Sequence, residues 1–197
     1  MAYPTVSGPY GLKPVKLLSG SPFVGVTRQY KIASGYNTNV FYGDAVKIVT
    51  GGTVERDAAD AAMTPVGIFL GCSYTDPVLK YKVFSQYYPA NTVASDIEAF
   101  VADGTDILFK VAVVSSGTTI GDLALTDLGA NVAMVDNTGD TATGQSKAAI
   151  SDTSATTATL PLRIVGLVEE TKNSSGGYTE AYVKWNAGHQ FNNTTGV

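Results

Sequence analysis

Phe41-Tyr-Gly-Asp-Ala-Val-Lys-Ile48 is a Gly-Asp turn that leads into an apolar run, and Thr64-Pro-Val-Gly-Ile-Phe-Leu-Gly71 is an apolar run led by proline. The pair returns as Thr119-Ile-Gly-Asp-Leu-Ala-Leu-Thr126 and Leu160-Pro-Leu-Arg-Ile-Val-Gly-Leu167. Glycine permits a sharp turn, an aspartate side chain can accept a backbone N–H, and proline is tolerated at a strand's first residue. Both copies therefore predict turns and β-strands. They represent either an internal duplication with a long insertion or two similar strand starts of independent origin.

Short apolar runs alternate with turn clusters on both sides of this stretch, and this pattern is typical of β-strands. Strands are predicted at 26–32, 39–49, 53–56, 66–72, 79–88, 95–102 and 107–114, with a final hairpin of 162–169 and 178–185. Only short helices are predicted, at 57–63 and 123–131, and residues 136–159 are expected to form a long loop. We therefore expect an all-β fold with minor short helices, in a compact body like a β-barrel or β-sandwich.

One hairpin is predicted with particular clarity. Apolar residues alternate from Ile97 to Val101 and again from Ile107 to Val113, and Asp103-Gly104 stands between the two runs. Because Asp-Gly favours the tight turns that join antiparallel strands, the two runs are expected to pair with each other.

The chain divides into an extended N-terminal arm at 1–24, a β-rich body at 25–186 and a C-terminal tail at 187–197. Four prolines punctuate the arm, so a helix or a continuous central strand is not expected there. The arm is nevertheless too apolar for a solvated segment. It is expected to lie either on its own body or on a neighbouring subunit, and its candidate interface residues are Tyr3, Tyr10, Leu17 and Phe23.

Charge limits the classes of partner. Charged residues make up 15% of the chain, against roughly 25% in ordinary soluble domains. Either other protein covers part of the surface, as in a homo-oligomer, or threonine and serine hydroxyls solvate it. A net charge of -4 without a basic cluster argues against nucleic acid, and the absence of a long apolar run argues against a membrane.

The sequence contains few candidates for a catalytic, metal-binding or cofactor-binding site. With one His and one Cys, the chain cannot assemble a Cys/His zinc site, and no nucleotide-binding or nucleophile motif is present. The stretch from Asp136 to Asp140 resembles the start of a calcium loop, but Thr141 occupies the position that needs glycine. His189 is expected at a surface or interface and Cys72 in the core. We therefore expect no catalytic residue, no metal, no cofactor and no enzymatic activity.

Five aromatic residues lie close together in the sequence, namely Tyr74, Tyr81, Phe84, Tyr87 and Tyr88. Aromatic rings of this kind suit either protein contacts or sugar stacking. Strand alternation places Tyr81 and Tyr87 on one face and Phe84 and Tyr88 on the other, whereas a sugar platform needs its rings on one face. Packing and subunit contact are therefore favoured, with Tyr87 and Tyr88 as candidate interface residues.

A family resemblance runs through nearly the whole chain. Its motifs are Tyr10-Gly-Leu-Lys-Pro14, Gly25-Val-Thr-Arg-Gln-Tyr30, Asn39-Val-Phe-Tyr-Gly-Asp44, Pro65-Val-Gly-Ile-Phe-Leu-Gly71, Phe84-Ser-Gln-Tyr-Tyr-Pro89, Thr143-Gly-Gln-Ser146, Leu160-Pro-Leu-Arg-Ile-Val-Gly166, Val183-Lys-Trp-Asn186 and Thr195-Gly-Val197. They resemble virion structural proteins of tailed phages, especially phages of cyanobacteria and marine bacteria. Within that group the chain is most similar to capsid decoration, or cement, proteins.

The resemblance implies a non-enzymatic protein on the capsid exterior of a virion that is assembled in the host bacterial cytoplasm. It implies the major capsid protein as a partner and a homotrimer that sits where capsid subunits meet. The alternative is a binding module on the virion surface, tail or baseplate that contacts host glycan through its tyrosines. Neither membrane nor nucleic acid is expected as a partner.

Overall fold

The computed structural model describes residues 6–172, 176–186, 188–192 and 196. These residues form thirteen β-strands in two sheets, which confirms the predicted all-β fold. The strands are β1 Lys13–Leu17, β2 Arg28–Lys31, β3 Ala45–Ile48, β4 Val54–Arg56, β5 Gly67–Thr75, β6 Lys82–Ser85, β7 Glu98–Ala102, β8 Ile107–Ser116, β9 Thr119–Ile120, β10 Asn131–Val135, β11 Ala149–Ala155, β12 Leu162–Leu167 and β13 Glu180–Trp185.

The seven-stranded sheet, which we call the barrel sheet, closes on itself. Its order is β1-β8-β11-β10-β12-β13, and β13 also pairs with β8. The five strands β8, β11, β10, β12 and β13 therefore form a ring, and β1 and β9 pair with β8 outside this ring. Alternate residues of β8, including Phe109, Val111 and Val113, are buried in the main core. Trp185 of β13 meets Phe109 edge-on, with ring centroids 5.3 Å apart. The predicted pairing of the last two strands is confirmed by the β12–β13 ladder.

The six-stranded sheet, which we call the open sheet, has the order β2-β7-β5-β3-β4, with β6 on the second half of β5. It encloses a second core that includes Val46, Phe69 and Val101. Its outer strands are short, with four residues each in β2 and β6 and three in β4, and a bridge between Lys31 and Thr53 connects β2 with the start of β4. Short edges that carry charged side chains limit unwanted pairing with other chains.

The prediction that the runs around Asp103-Gly104 pair as a hairpin is wrong. Both runs are strands, but β7 pairs with β2 and β5 whereas β8 pairs with β1, β9, β11 and β13. The connection therefore carries the chain from one sheet to the other. Asp103 is buried there, where it accepts a hydrogen bond from the Tyr30 hydroxyl at 2.7 Å and forms an ion pair with Arg28 Nε at 3.2 Å. These contacts to β2 hold the end of β7 in the open sheet.

The Gly-Asp turn at 43–44 forms as predicted. Gly43 has a φ of +96°, and the Asp44 carboxylate accepts the Phe41 backbone N–H at 2.9 Å. In the second copy, Asp122 accepts the Leu123 N–H at 2.9 Å. The chain then enters a 3-10 turn at Leu125–Asp127, in place of the strand that the repeat predicts and shorter than the helix predicted at 123–131, so the likeness of the two copies ends at the turn.

Other predicted elements are corrected. The predicted helix at 57–63 is reduced to a 3-10 turn at Asp60–Ala62. The predicted loop at 136–159 contains β11, which runs parallel to β8 and antiparallel to β10. His189 is fully buried, whereas it was expected at a surface or interface. Residues 188–192 fold back over the body, and Gln190 bonds both the N–H and the carbonyl of Ile48.

Candidate interaction surface

The described part of the N-terminal arm lies on its own body. Leu12 is fully buried in the main core, and its N–H donates to the Gly43 carbonyl at 3.0 Å. Gly11 has a φ of +79° and donates its N–H to the Ala148 carbonyl at 3.0 Å. From Lys13 the arm becomes β1 and pairs with β8. Over residues 6–17, therefore, the arm is an integral part of the fold.

Tyr10 is one of the predicted interface residues, and its hydroxyl donates to the carboxylate of Glu180 on β13. Glu180 is buried and also contacts Lys110 Nζ at 3.1 Å. Burial, followed by the bond to Glu180, raises the pKa of Tyr10 well above its ordinary value. Lys13 Nζ lies 4.3 Å from the centre of the Tyr10 ring. Tyr10 therefore fastens the arm to the barrel sheet.

Leu17 and Phe23, also predicted interface residues, line an open groove. The groove lies between the connection from β1 to β2 and the connection from β7 to β8, both of which pass from one sheet to the other. We call it the crossover groove. Its volume is about 410 Å³ and its walls include Leu17, Phe23, Val26, Arg28, Asp103, Asp106, Ile107 and Phe191. The two predicted residues are only half-buried, and Val26 is 68% exposed. The groove therefore presents apolar surface between charged side chains.

A second group of exposed apolar residues lies on the β5–β6 hairpin, and we call it the hairpin tip. It consists of Val78, Leu79, Tyr81 and Phe84 together with Val93 from the facing loop. Val78 is 82% exposed and Phe84 is 74% exposed. The turn has a fixed shape because Asp76 accepts the N–H groups of Val78 and Leu79, at 2.7 and 2.8 Å. Apolar side chains are therefore held out from the body on an ordered turn.

A third apolar patch lies on the barrel sheet, and we call it the barrel patch. It consists of Leu125, Leu128 and Val165, all of which are exposed. The Gly129 N–H donates to the Ile164 carbonyl at 3.0 Å, which brings the Leu125–Asp127 turn beside β12. The sequence pattern did not single out this patch.

The other predicted interface residues have different positions. Tyr88 is fully buried and donates its hydroxyl to the Tyr36 carbonyl at 3.1 Å, so its proposed place on a surface is wrong. Tyr87 is half-buried and stacks on Phe41, with ring centroids 5.6 Å apart. Tyr3 lies outside the described residues. The exposed Val78 and Leu79 were missed, although apolar residues directly after Pro77 in a turn were a usable signal.

The charged cluster around Arg56 is structural. Arg56 lies within 3.0 Å of the buried Asp44 carboxylate and within 2.6 Å of Asp136, which follows β10. It therefore ties the open sheet to the barrel sheet. Burial raises the pKa of Asp136 to about 6, although the guanidinium acts in the opposite direction. Burial likewise raises the pKa of Asp44.

Within the described residues, no three His, Cys, Asp or Glu side chains are grouped so as to bind a metal ion. None of the helices in this part of the chain has the length or the apolar run that a membrane crossing needs. Cys72 is buried as predicted, and burial raises the pKa of its thiol to about 12.

Comparison with known proteins gives no further guide. No protein-family model, no curated protein and no solved structure matches this chain.

Proposed function

We propose that this chain is a non-enzymatic capsid decoration protein of a tailed phage. On this proposal it binds neighbouring major capsid subunits on the outside of the head, together with copies of itself, and stabilises the head against the packaged DNA. The proposal comes from the resemblance of its sequence motifs to virion proteins. The observation that carries it is the presence of three separate exposed apolar patches on a chain with only 15% charged residues.

Three patches fit such a role because a decoration protein contacts more than one neighbour. Apolar patches that are rimmed by polar residues commonly mark protein contacts. The five apolar side chains of the hairpin tip are 57–82% exposed, so they could contribute to the roughly 800 Å² that each partner buries in an ordinary stable interface. Burial of an exposed apolar patch against a neighbouring protein lowers the free energy of the contact.

The rigid attachment of the arm adds mechanical support. Leu12 is anchored in the core and Tyr10 is bonded to Glu180, so residues 10–17 move with the body. A clamp between capsid subunits must transmit load without opening, and a closed ring of strands has few free edges from which to open.

The alternative, a module that binds host glycan through tyrosines, has weaker support. Of the clustered tyrosines, Tyr74 and Tyr88 are buried and Tyr87 is half-buried against Phe41. Only Tyr81 is substantially exposed, at 57%. A sugar platform normally needs more than one ring on a shared face.

Binding to shells tests the proposal. The purified chain is sedimented with assembled heads that lack it, with unassembled major capsid protein, and with the glycans of the host surface. We expect saturable binding to assembled heads only, and heads that then release DNA at a higher temperature, because a ligand specific for one state stabilises that state. Binding to glycan without binding to heads would favour the alternative.

A further inference from the structure

We propose that the outer face of the barrel sheet binds an acidic protein surface, that is, one that carries several carboxylates beside apolar side chains. Five basic residues form this face, which we call the basic face, namely Lys13, Lys16, Lys110, Arg163 and Lys184. The inference does not rest on the proposed function, because it follows from the register of the strands and from the charges that the register brings together.

Strand pairing places three of these residues in one row across the sheet. Lys16 of β1 and Lys184 of β13 both pair with Leu108 of β8, and Lys184 also pairs with Arg163 of β12. Paired residues on neighbouring strands point to the same face. The row faces outward, because Phe109, the next residue on β8, points into the main core. Since neighbouring strands lie about 4.8 Å apart, the row from β1 to β12 is about 14 Å long.

The next row on the same face holds the other two basic residues. Lys13 of β1 pairs with Lys110 of β8, and Lys110 pairs with Tyr182 of β13. Lys16 Nζ lies 5.1 Å from the centre of the Tyr182 ring, which shows that the two rows share one face. Along β8 and β13 the rows are two residues, or about 7 Å, apart. All five cations therefore lie close enough for their fields to add, since the Debye length is about 8 Å at physiological salt.

Carboxylates on the same side of the sheet neutralise only part of this charge. Glu180 of β13 is buried and forms an ion pair with Lys110. Asp106 lies two residues before Leu108, at the edge of the face, and is exposed. Within the described residues, neither Asp106 nor any of the other four basic residues forms an ion pair. Burial lowers the pKa of Lys13, and the nearby charge of Lys110 lowers it further.

The basic face differs from the rest of the molecule in the sign of its charge. It holds five of the 13 Lys and Arg residues of a chain whose net charge is -4, so that acidic residues outnumber basic ones elsewhere. A partner with a compact group of carboxylates is attracted to this face and repelled by the remaining surface, which favours one orientation. No basic run in the sequence marks the face, because its members come from β1, β8, β12 and β13.

The barrel patch borders the basic face and indicates that the acidic partner is a protein. Val165 follows Arg163 by two positions on β12, and both side chains are exposed. Leu125 and Leu128 of the patch lie beside the same strand. An apolar centre with charged groups around it is typical of protein interfaces. The phosphate backbone of a nucleic acid would pair with the cations but would leave this apolar surface in water.

The tyrosines near the basic face are poorly placed to bind bases. The Tyr10 hydroxyl is bonded to Glu180, and Lys13 Nζ lies 4.3 Å from the centre of the Tyr10 ring. Tyr182 likewise has the Lys16 ammonium group over its ring. Proteins that bind single-stranded nucleic acid instead offer open rings on which successive bases stack. A nucleic acid longer than the face would also extend over acidic surface.

Three labelled probes of equal charge test the class of partner. They are a peptide of repeated Glu-Glu-Leu, a peptide of repeated Glu-Glu-Ser and an oligothymidylate. Fluorescence anisotropy gives the Kd of each for the full chain at low and at physiological salt. We expect the tightest binding for the leucine-containing peptide, the weakest for the oligothymidylate, and weaker binding of every probe as salt is added. Absence of peptide binding at low salt would overturn the inference, and so would oligothymidylate binding as tight as that of the peptides.

Two double variants test the position of the site. Lys16→Gln with Lys184→Gln removes two cations from the basic face, and Lys80→Gln with Lys82→Gln makes the same change in charge on the open sheet. All four side chains are at least partly exposed, so we expect unchanged circular dichroism. The first variant should bind the leucine-containing peptide about fivefold more weakly, as expected for the loss of two exposed ion pairs, and the second should bind it as the wild type does. Equal losses in the two variants would contradict a site on the basic face.

Leu125→Ser tests the contribution of the barrel patch. The Leu125 side chain is 63% exposed, so the fold should not change. We expect this variant to bind the two peptides equally, with the Kd of the serine-containing peptide as in the wild type. A preference for the leucine-containing peptide that survives the substitution would contradict the role of the patch in choosing a protein partner. Failure of the chain to bind phage heads would refute the proposed function and leave these outcomes unchanged.

Discussion

Replacement of Leu12 by alanine tests whether the arm belongs to the folded body. Leu12 is fully buried in the main core, and the N–H groups of Gly11 and Leu12 donate to the carbonyls of Ala148 and Gly43, which lie just before β11 and β3. Truncation of a fully buried leucine costs about 2–5 kcal/mol, through lost burial and the cavity that remains. We expect the free energy of unfolding to fall by about 3 kcal/mol in Leu12→Ala.

Leu18→Ala is the matched control, since it makes the same chemical change just beyond β1 at a side chain that is 50% exposed. It should lower the free energy of unfolding by less than about 0.5 kcal/mol. Urea denaturation followed by circular dichroism measures both changes, with unchanged m-values as the sign that the unfolding transition is the same. In thermal unfolding, the loss in Leu12→Ala should appear as a fall in Tm of about 6–12 °C.

Equal stabilities of the two variants would refute this reasoning. That result would mean that residues before β1 contribute nothing to the stability of the isolated body. The arm would then behave as a tether that becomes ordered only on a neighbouring subunit.

Three further changes have defined outcomes. Gly11→Ala should lower the free energy of unfolding by more than about 1 kcal/mol in urea titrations, because φ is +79° and a Cβ atom would lie 2.8 Å from the Gly43 carbonyl oxygen. Arg56→Ala should lower it by about 3 kcal/mol, because the buried Asp44 carboxylate loses its cation; a change below about 1 kcal/mol would contradict the structural role of this cluster. For Asp136 the folded pKa of about 6 lies above the ordinary 3.8, so the folded state binds the proton more tightly. That contribution is present below about pH 4 and is lost as pH rises through 6, so the wild type should lose on the order of 2 kcal/mol relative to Asp136→Asn between pH 4 and pH 7.

The sequence predicts strands well where a turn and an alternating apolar run coincide. The Gly43-Asp44 turn, the runs that became β7 and β8, and the final β12–β13 hairpin are all present. Local chemistry decides such features, because a turn needs only its own residues and alternation follows directly from the pleat of a strand.

Strand partners were harder to predict, because pairing is not encoded in the period of a single strand. β7 and β8 are both apolar enough to be buried in the interior, and each forms its backbone hydrogen bonds with other strands, β7 with β5 and β8 with β13. Asp103-Gly104 is therefore part of a crossover between the sheets and not a hairpin turn. β11 was missed because its Ser- and Thr-rich sequence lacks an apolar alternation, and the strands on either side supply its hydrogen bonds.

The candidate surface was predicted only in part. Leu17 and Phe23 do line a groove, whereas Tyr88 is core, because the exposure of an aromatic ring depends on which sheet face is covered. The burial of His189 likewise depends on how residues 188–192 fold back, and its ring then packs between Trp185 and Phe191. Tertiary packing decides these outcomes, and a short sequence window does not contain it.

The copy number of this chain in purified phage particles tests the central claim most directly. Quantitative mass spectrometry against the major capsid protein gives the ratio of the two chains in intact heads and in separated tails. A decoration protein should be found on the heads, at a fixed ratio near one copy, or one trimer, for each small group of capsid subunits. A few copies per particle, or a chain found only with the tails, would contradict the proposed function.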